Sequence, residues 1–275
     1  MNEYRFNAID HIHEIFENGS YKPLVGCSSL SSLISKGGLV YWASGLAVEK
    51  FGWTHKGNKE KGWTKKEDRL EKAIKRRKEI AELDDESYLQ LLDDAYAAHS
   101  QKLAASAEDG TNLHERMEKY VKLCMEKNDG KPIAGDTEHQ ALQIFVSWSL
   151  SNVRRFLWSE VNCYSRDLWL GGISDCGYED MEGNYAILDF KSSKEAYLSQ
   201  FWQCVAYAIL LEENGGVTPD GDKVFTLSKE IHHVSVLPFG MKEPTVSHYY
   251  DMVGGKEAVK AMVTLYRKVN NYERG

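Results

Sequence analysis

Residues 171–207 decide how this chain is read: Gly171-Gly172-Ile173-Ser174-Asp175, then Ala186-Ile187-Leu188-Asp189-Phe190-Lys191, then Gln203-Cys204-Val205-Ala206-Tyr207. Two acids, one lysine and a Gln/Tyr pair sit between apolar runs, in a rhythm that predicts two strands and then a helix. The strands are expected over 165–176 and 185–191, and the polar, glycine-containing residues 179–184 make them an antiparallel hairpin. Alternate residues of a strand share a face, so Asp189 and Lys191 point one way and Leu188 and Phe190 the other. A carboxylate and an ammonium on an apolar strand are costly to bury unless they pair or bind something. A salt bridge from Asp189 to a neighbouring base is the plain explanation. Asp175 argues for more, because it ends the preceding strand just after two glycines, where bare backbone lets a ligand approach. Two carboxylates meeting at strand ends repel each other unless a cation lies between them, and oxygen ligation suits Mg²⁺ or Mn²⁺. Lys191 beside such a cation orients a hydroxide or offsets charge on a phosphate, which is what phosphodiester hydrolysis requires.

Working outward, the pattern over 156–162 predicts a strand carrying Glu160. A helix over 197–213 is mostly apolar but has a polar edge, Gln203 and Tyr207 one turn apart with Gln200 on nearly the same face. Residues 107–111 break the pattern, and Asn112 with Glu115 resembles a capping box for a helix over 113–127. Leu113, Met117, Tyr120 and Cys124 form that helix's buried stripe, and His114 lies beside it. A helix over 136–148, a strand over 231–237, an edge strand over 246–250 and a closing helix over 256–269 complete an α/β fold, a mixed sheet flanked by helices. His232 and His233 are read as structural.

The first 108 residues are expected to be helical. Ile9, Ile12 and Phe16 stand at helical spacing before Gly19, the serine-rich run 24–38 and the segment 39–51 suggest two more helices, and another opens at 83. Residues 56–78 hold eleven Lys/Arg against four Asp/Glu, with Trp53 and Trp63 close by. That run is either a solvated helix face or a surface that tracks phosphates, with Lys65, Lys66, Arg76 and Arg77 as its candidate contacts. The expected organisation is therefore a helical portion over 1–108, acting as a wall or arch, and a core over 109–275, in one compact unit.

Composition sets the bounds. An apolar content of 42% with seven Trp and fifteen Tyr suffices for a core, and no apolar run reaches the roughly 20 residues needed to cross a bilayer. The N-terminus lacks a signal-peptide pattern, so the expectation is a cytoplasmic protein with no membrane partner. Five scattered cysteines with no C-x-x-C pair indicate buried thiols rather than disulfides or a metal cluster. A net charge of −7 restricts any nucleic-acid contact to a local patch such as 56–78.

Asp175 in its Gly-Gly-Ile-Ser-Asp context, the Asp189-Phe190-Lys191 triplet and Gln203-x-x-x-Tyr207 together resemble the PD-(D/E)XK nuclease superfamily in its RecB-like exonuclease branch. The likeness covers roughly residues 107–213. More loosely, residues 25–50 are similar to the N-terminal helices of bacteriophage and mitochondrial genome-maintenance exonucleases. The resemblance implies a restriction-endonuclease-like core and a Mg²⁺- or Mn²⁺-dependent exonuclease acting on free, single-stranded DNA ends in replication, recombination or repair. It implies metal ligands His114, Glu160, Asp175, Asp189 and the Phe190 carbonyl, an assisting Lys191, and DNA contacts at Gln200, Gln203 and Tyr207. The four cysteines of CRISPR-associated members are missing, and so is a phosphate-binding P-loop, so a helicase motor or a recombination or single-strand-binding partner would be another chain. The rival readings are a nucleic-acid-binding subunit of a recombination complex that does no chemistry, and an endonuclease of the same fold.

Overall fold

The computed structural model describes residues 2–34, 38–58, 62–135, 139–240 and 243–270. Its first element is an antiparallel meander, β1 (Tyr4–Asn7), β2 (Ile12–Glu17) and β3 (Ser20–Pro23). The helix expected over 7–17 is thus replaced by strands. Glu17 pairs with Ser20, which leaves Asn18-Gly19 as a two-residue turn with φ of 51° and 85°. Both angles are positive, as a tight hairpin requires and as Asn and Gly tolerate. The apolar spacing at Ile9, Ile12 and Phe16 was coincidental: Ile9 is 94% exposed, while His13 and Ile15, two apart, point inward. A short strand, β4 (Val25–Gly26), and a 3-10 turn over Cys27–Leu33 take the place of the helix expected over 24–38, of which residues 35–37 lie outside the described ones.

The chain divides into two compact units, Met1–Ile34 with Gly110–Gly275, and Ser35–Asp109. The first 34 residues belong with the core unit and not with Ser35–Asp109. The inserted unit contains α1 (Gly38–Glu49), the strand pair β5 (Gly57–Asn58) and β6 (Gly62–Trp63), α2 (Lys66–Ala81) and the first part of α3 (Asp85–Asn128). Arg76 Nε donates to the Lys50 carbonyl at 2.8 Å and Arg69 Nε to that of Thr54 at 2.9 Å, tying α2 to the segment after α1. The break expected at 107–111 is absent, and α3 runs through it. One interior glycine costs a helix only about 1 kcal/mol, which a long helix absorbs.

The other unit continues with α4 (Gln140–Asn152), β7 (Val153–Ser165), β8 (Leu170–Asp180), β9 (Tyr185–Lys191), α5 (Leu198–Asn214), β10 (Gly216–Val217), β11 (Lys223–Phe225), β12 (Ile231–Pro238), β13 (Ser247–Tyr249) and α6 (Met252–Val269). Residues 136–138, where α4 was expected to begin, lie outside the described residues. The sheet runs β11-β10-β7-β8-β9-β12-β13, with β4 added beside β8. It is mixed: β7, β8 and β9 are antiparallel neighbours, whereas β12 runs parallel to β9 and β4 to β8. Side-chain alternation divides the core between two faces. Ile187 and Val234 pack with Val205 and Leu210 of α5 and Val259 of α6. Leu188 and Leu237 pack with Met117 of α3 and Phe145 of α4. All five cysteines are buried and free, and no helix among the described residues is long and apolar enough to cross a membrane.

Gly177 of β8 is fixed by its neighbour. A Cβ there would lie 2.2 Å from the indole of Trp158, which is buried, donates to Ser174 Oγ at 3.1 Å and stacks on Phe225. The indole has nowhere to go. Gly177→Ala should therefore cost about 1–3 kcal/mol or more by overpacking, read as a lower urea midpoint with an unchanged slope.

Candidate active site

Three strands bring three carboxylates into one row. Ser159 pairs with Cys176 and Val161 with Ser174, so Glu160 of β7 and Asp175 of β8 lie opposite each other between those pairs. Cys176 pairs with Leu188, which sets Asp175 beside Asp189 of β9 one step further on. Neighbouring strands are about 4.8 Å apart, so the ladder itself spaces the acids. His114 reaches the row from α3: its Nε2 lies 2.8 Å from Glu160 Oε1 and 3.9 Å from Asp175 Oδ2. Ligand atoms of His114, Glu160 and Asp175 all lie within 4.8 Å of one another, close enough for one cation.

Asp189 stands apart from that trio. Its carboxylate is wholly buried and Oδ2 is ion-paired with Lys191 Nζ at 2.5 Å, while Oδ1 has no hydrogen-bond partner among the described residues. The residues two apart on β9 thus share a face, as their alternation requires. Asp175 is 8% exposed, and its Oδ2 accepts from the Phe190 amide at 2.8 Å. The amide of Phe190 is therefore committed to orienting a carboxylate. His114 and Glu160 keep about a quarter of their side-chain surface open, so solvent reaches the row from their side.

Glu160 has a φ of 48°, a left-handed conformation that costs a non-glycine residue on the order of 1–2 kcal/mol. Strain of this kind within a regular strand points to a side chain that must be aimed, here at His114.

Electrostatics separate the roles. Burial raises the Asp189 carboxyl to about 7, with Lys191 opposing the shift and Asp175 adding to it. Burial also raises Asp175, against the pull of Lys191 and His114. For Lys191 burial works against the charge, but Asp189 and Asp175 outweigh it, so its ammonium is held protonated. Burial likewise opposes charge on His114, yet the Glu160 hydrogen bond and the nearby Asp175 bring it up to about 8. Lys191 is thus a fixed positive charge and hydrogen-bond donor, not a base.

The other candidate residues fare unequally. Gln203 Nε2 donates to Tyr207 Oη at 2.5 Å, so the two work as one group beside the start of β8. Gly172 makes room for it, since a Cβ there would lie 2.5 Å from the Tyr207 ring, and one at Gly171 would lie 2.4 Å from His13 Cβ. The glycine pair therefore admits side chains of the fold. Gln200 caps α5: its Oε1 accepts from the Tyr197 amide at 2.9 Å and its Nε2 donates to Ser193 Oγ, which leaves its amide engaged. In the inserted unit Arg76 is engaged by Lys50 and Glu79, whereas Lys65, Lys66 and Arg77 are exposed. The N-terminal residues around the Gln203–Tyr207 pair, among them His13 and Ser28, went unrecognised in the sequence because that segment reads as helix.

No family model matches the chain, and no curated protein matches it in sequence.

A cation entering the trio needs the lone pair of His114 Nε2, which a proton occupies below a pH of about 8. Binding should therefore release protons and strengthen as pH rises, with Mn²⁺ at least about tenfold weaker at pH 6 than at pH 8.5. Calorimetry in buffers of different ionisation enthalpy measures both quantities, and pH-independent affinity would contradict the assignment of His114 as a ligand.

Proposed function

We propose that the chain is a divalent-metal-dependent DNA exonuclease with a restriction-endonuclease-like core of the PD-(D/E)XK type. The observation that carries the reading is the convergence of His114, Glu160 and Asp175, from one helix and two strands, with Asp189 and Lys191 on the adjoining strand. An Asp-x-Lys pair on one strand face, with a second Asp on its antiparallel neighbour, matches the order and spacing in the sequence.

The donor set fits a hard divalent cation. It offers carboxylate oxygens and one imidazole, and the unpartnered Oδ1 of Asp189 is a buried acceptor that needs a positive neighbour. His114, Glu160, Asp175, Asp189 and the Phe190 carbonyl would hold Mg²⁺ or Mn²⁺. Such an ion, when bound, supplies Lewis acidity toward a phosphate and acidifies a coordinated water.

The chain's own residues do the remainder. Lys191 Nζ keeps its proton because two carboxylates face it, so it can donate a hydrogen bond to the attacking water or offset charge gathering on the phosphate. The Phe190 amide locks the carboxylate of Asp175, so it need not reorganise during the reaction, whereas the Nε2 proton that His114 shares with Glu160 would be given up to a bound cation. Gln203 and Tyr207, tied to each other, present a rigid polar edge to the strand. Lys65, Lys66 and Arg77 of the inserted unit offer phosphates a further, salt-sensitive contact. DNA with a free end is the substrate this set of groups suits best.

Purified protein is expected to shorten end-labelled DNA with Mg²⁺ or Mn²⁺ and to stop when chelator is added. Asp189→Ala and Lys191→Ala should each lower the rate at least about a hundredfold, the scale of losing one preorganised electrostatic group. Activity that survives either substitution removes the mechanism. Cleavage of covalently closed circular DNA would replace the exonuclease by an endonuclease.

A further inference from the structure

Between the N-terminal meander and the start of β8 lies a cavity of about 560 Å³, within the size range of small-ligand sites. Phe6, Ile12, His13, Ser28 and Ser29 line it, with Gln203 of α5 as its polar edge toward the candidate site. No Lys, Arg, Asp or Glu is among the described residues that line it. A phosphate pocket is built from cations and converging donors. This cavity instead pairs an aromatic and aliphatic wall with serine hydroxyls, the Gln203 amide and the imidazoles of His11 and His13, the chemistry of a neutral heteroaromatic ring.

His13 shows how the polar side is set. Tyr4 Oη lies 2.6 Å from His13 Nδ1 and 3.1 Å from Asn162 Oδ1, which fixes the imidazole by one ring nitrogen. The other nitrogen, Nε2, has no hydrogen bond among the described residues. Burial lowers the His13 pKa to about 4, which keeps the ring uncharged at neutral pH. The Phe6 ring lies 4.8 Å from that of His13, extending the aromatic wall.

Gly171–Ile173 line the cavity, and Asp175 follows Ile173 two residues on along β8. At about 3.3 Å per residue that is roughly 7 Å, so cavity and carboxylate row are neighbouring stations on one strand.

We propose that this cavity receives the unpaired base of the terminal nucleotide of a DNA strand, its face against Phe6 and Ile12 and its polar edge against His13 and the two serines. The inference rests on the nuclease reading for its choice of ligand. It deepens that reading by making recognition of the end a matter of the last base rather than of a terminal phosphate. An end buried in duplex cannot enter, which selects frayed or single-stranded ends.

The test uses the full-length protein with Ca²⁺ and single-stranded oligonucleotides carrying 2-aminopurine at the 5′ end, at the 3′ end or internally. Emission from the probe at one end should change saturably, while the internal probe should respond far less. An oligonucleotide whose residue at that end is abasic should bind about tenfold more weakly, the scale of losing one stacked base. His13→Ala should abolish the terminal response but also deprives Tyr4 of its partner. Ser29→Trp, which fills the cavity without touching that network, should abolish it too and equalise intact and abasic ends. Equal responses from terminal and internal probes, no response at either end, or tight binding of the abasic end overturns the proposal. A terminal response without hydrolysis in Mg²⁺ or Mn²⁺ leaves the base pocket standing and removes the nuclease; hydrolysis without a terminal response does the reverse.

Discussion

Asp189 is an acid with no exposed surface, in the middle of a sheet, and much of the unit is arranged around making that tolerable. Lys191 compensates it from the same strand face, and Asp175 crowds it from the next strand. Helices α5 and α6 cover that face with apolar side chains, so water is kept from one side of the carboxylate row. On the other side His114 and Glu160 remain partly open. The result is a row of charge whose floor is dry and whose mouth is wet.

The sequence made the central strands and α5 legible for physical reasons. β9 is buried on both faces, so its apolar run is interrupted only where charge is required, and Asp189 and Lys191 stand out against it. The polar edge of α5 was visible in the same way at Gln203 and Tyr207. Gln200 shares that edge by spacing alone, but it lies in the first turn, where unsatisfied backbone amides compete for side chains, and capping claims it. The N-terminal segment misled because three apolar residues happen to stand at helical intervals. Asn18-Gly19 is the better local signal, a two-residue turn that overrides that spacing. The left-handed backbone at Glu160 leaves no mark in the sequence, since its cause is tertiary: the side chain must meet a helix 46 residues away.

The meander changes what the glycine pair of β8 means. Gly171 and Gly172 look like a ligand's landing place, yet their missing Cβ atoms make room for His13 and Tyr207. The chain's first 30 residues and its α5 helix thereby close on the same end of β8. The cavity they enclose exists because two side chains approach the sheet more closely than any other residue type at 171 and 172 allows.

The four groups of the candidate site also differ in what keeps them in place. Glu160, Asp175 and Asp189 are stations on one hydrogen-bonded ladder, and they separate only if the strands themselves part, an event on the scale of global unfolding. His114 belongs to α3, a 44-residue helix that contributes to both compact units. Amide exchange should thus find two grades of permanence in a single constellation. Three of the four groups are thus fixed by the sheet itself, and one by a helix packed on it through Met117 and Leu188.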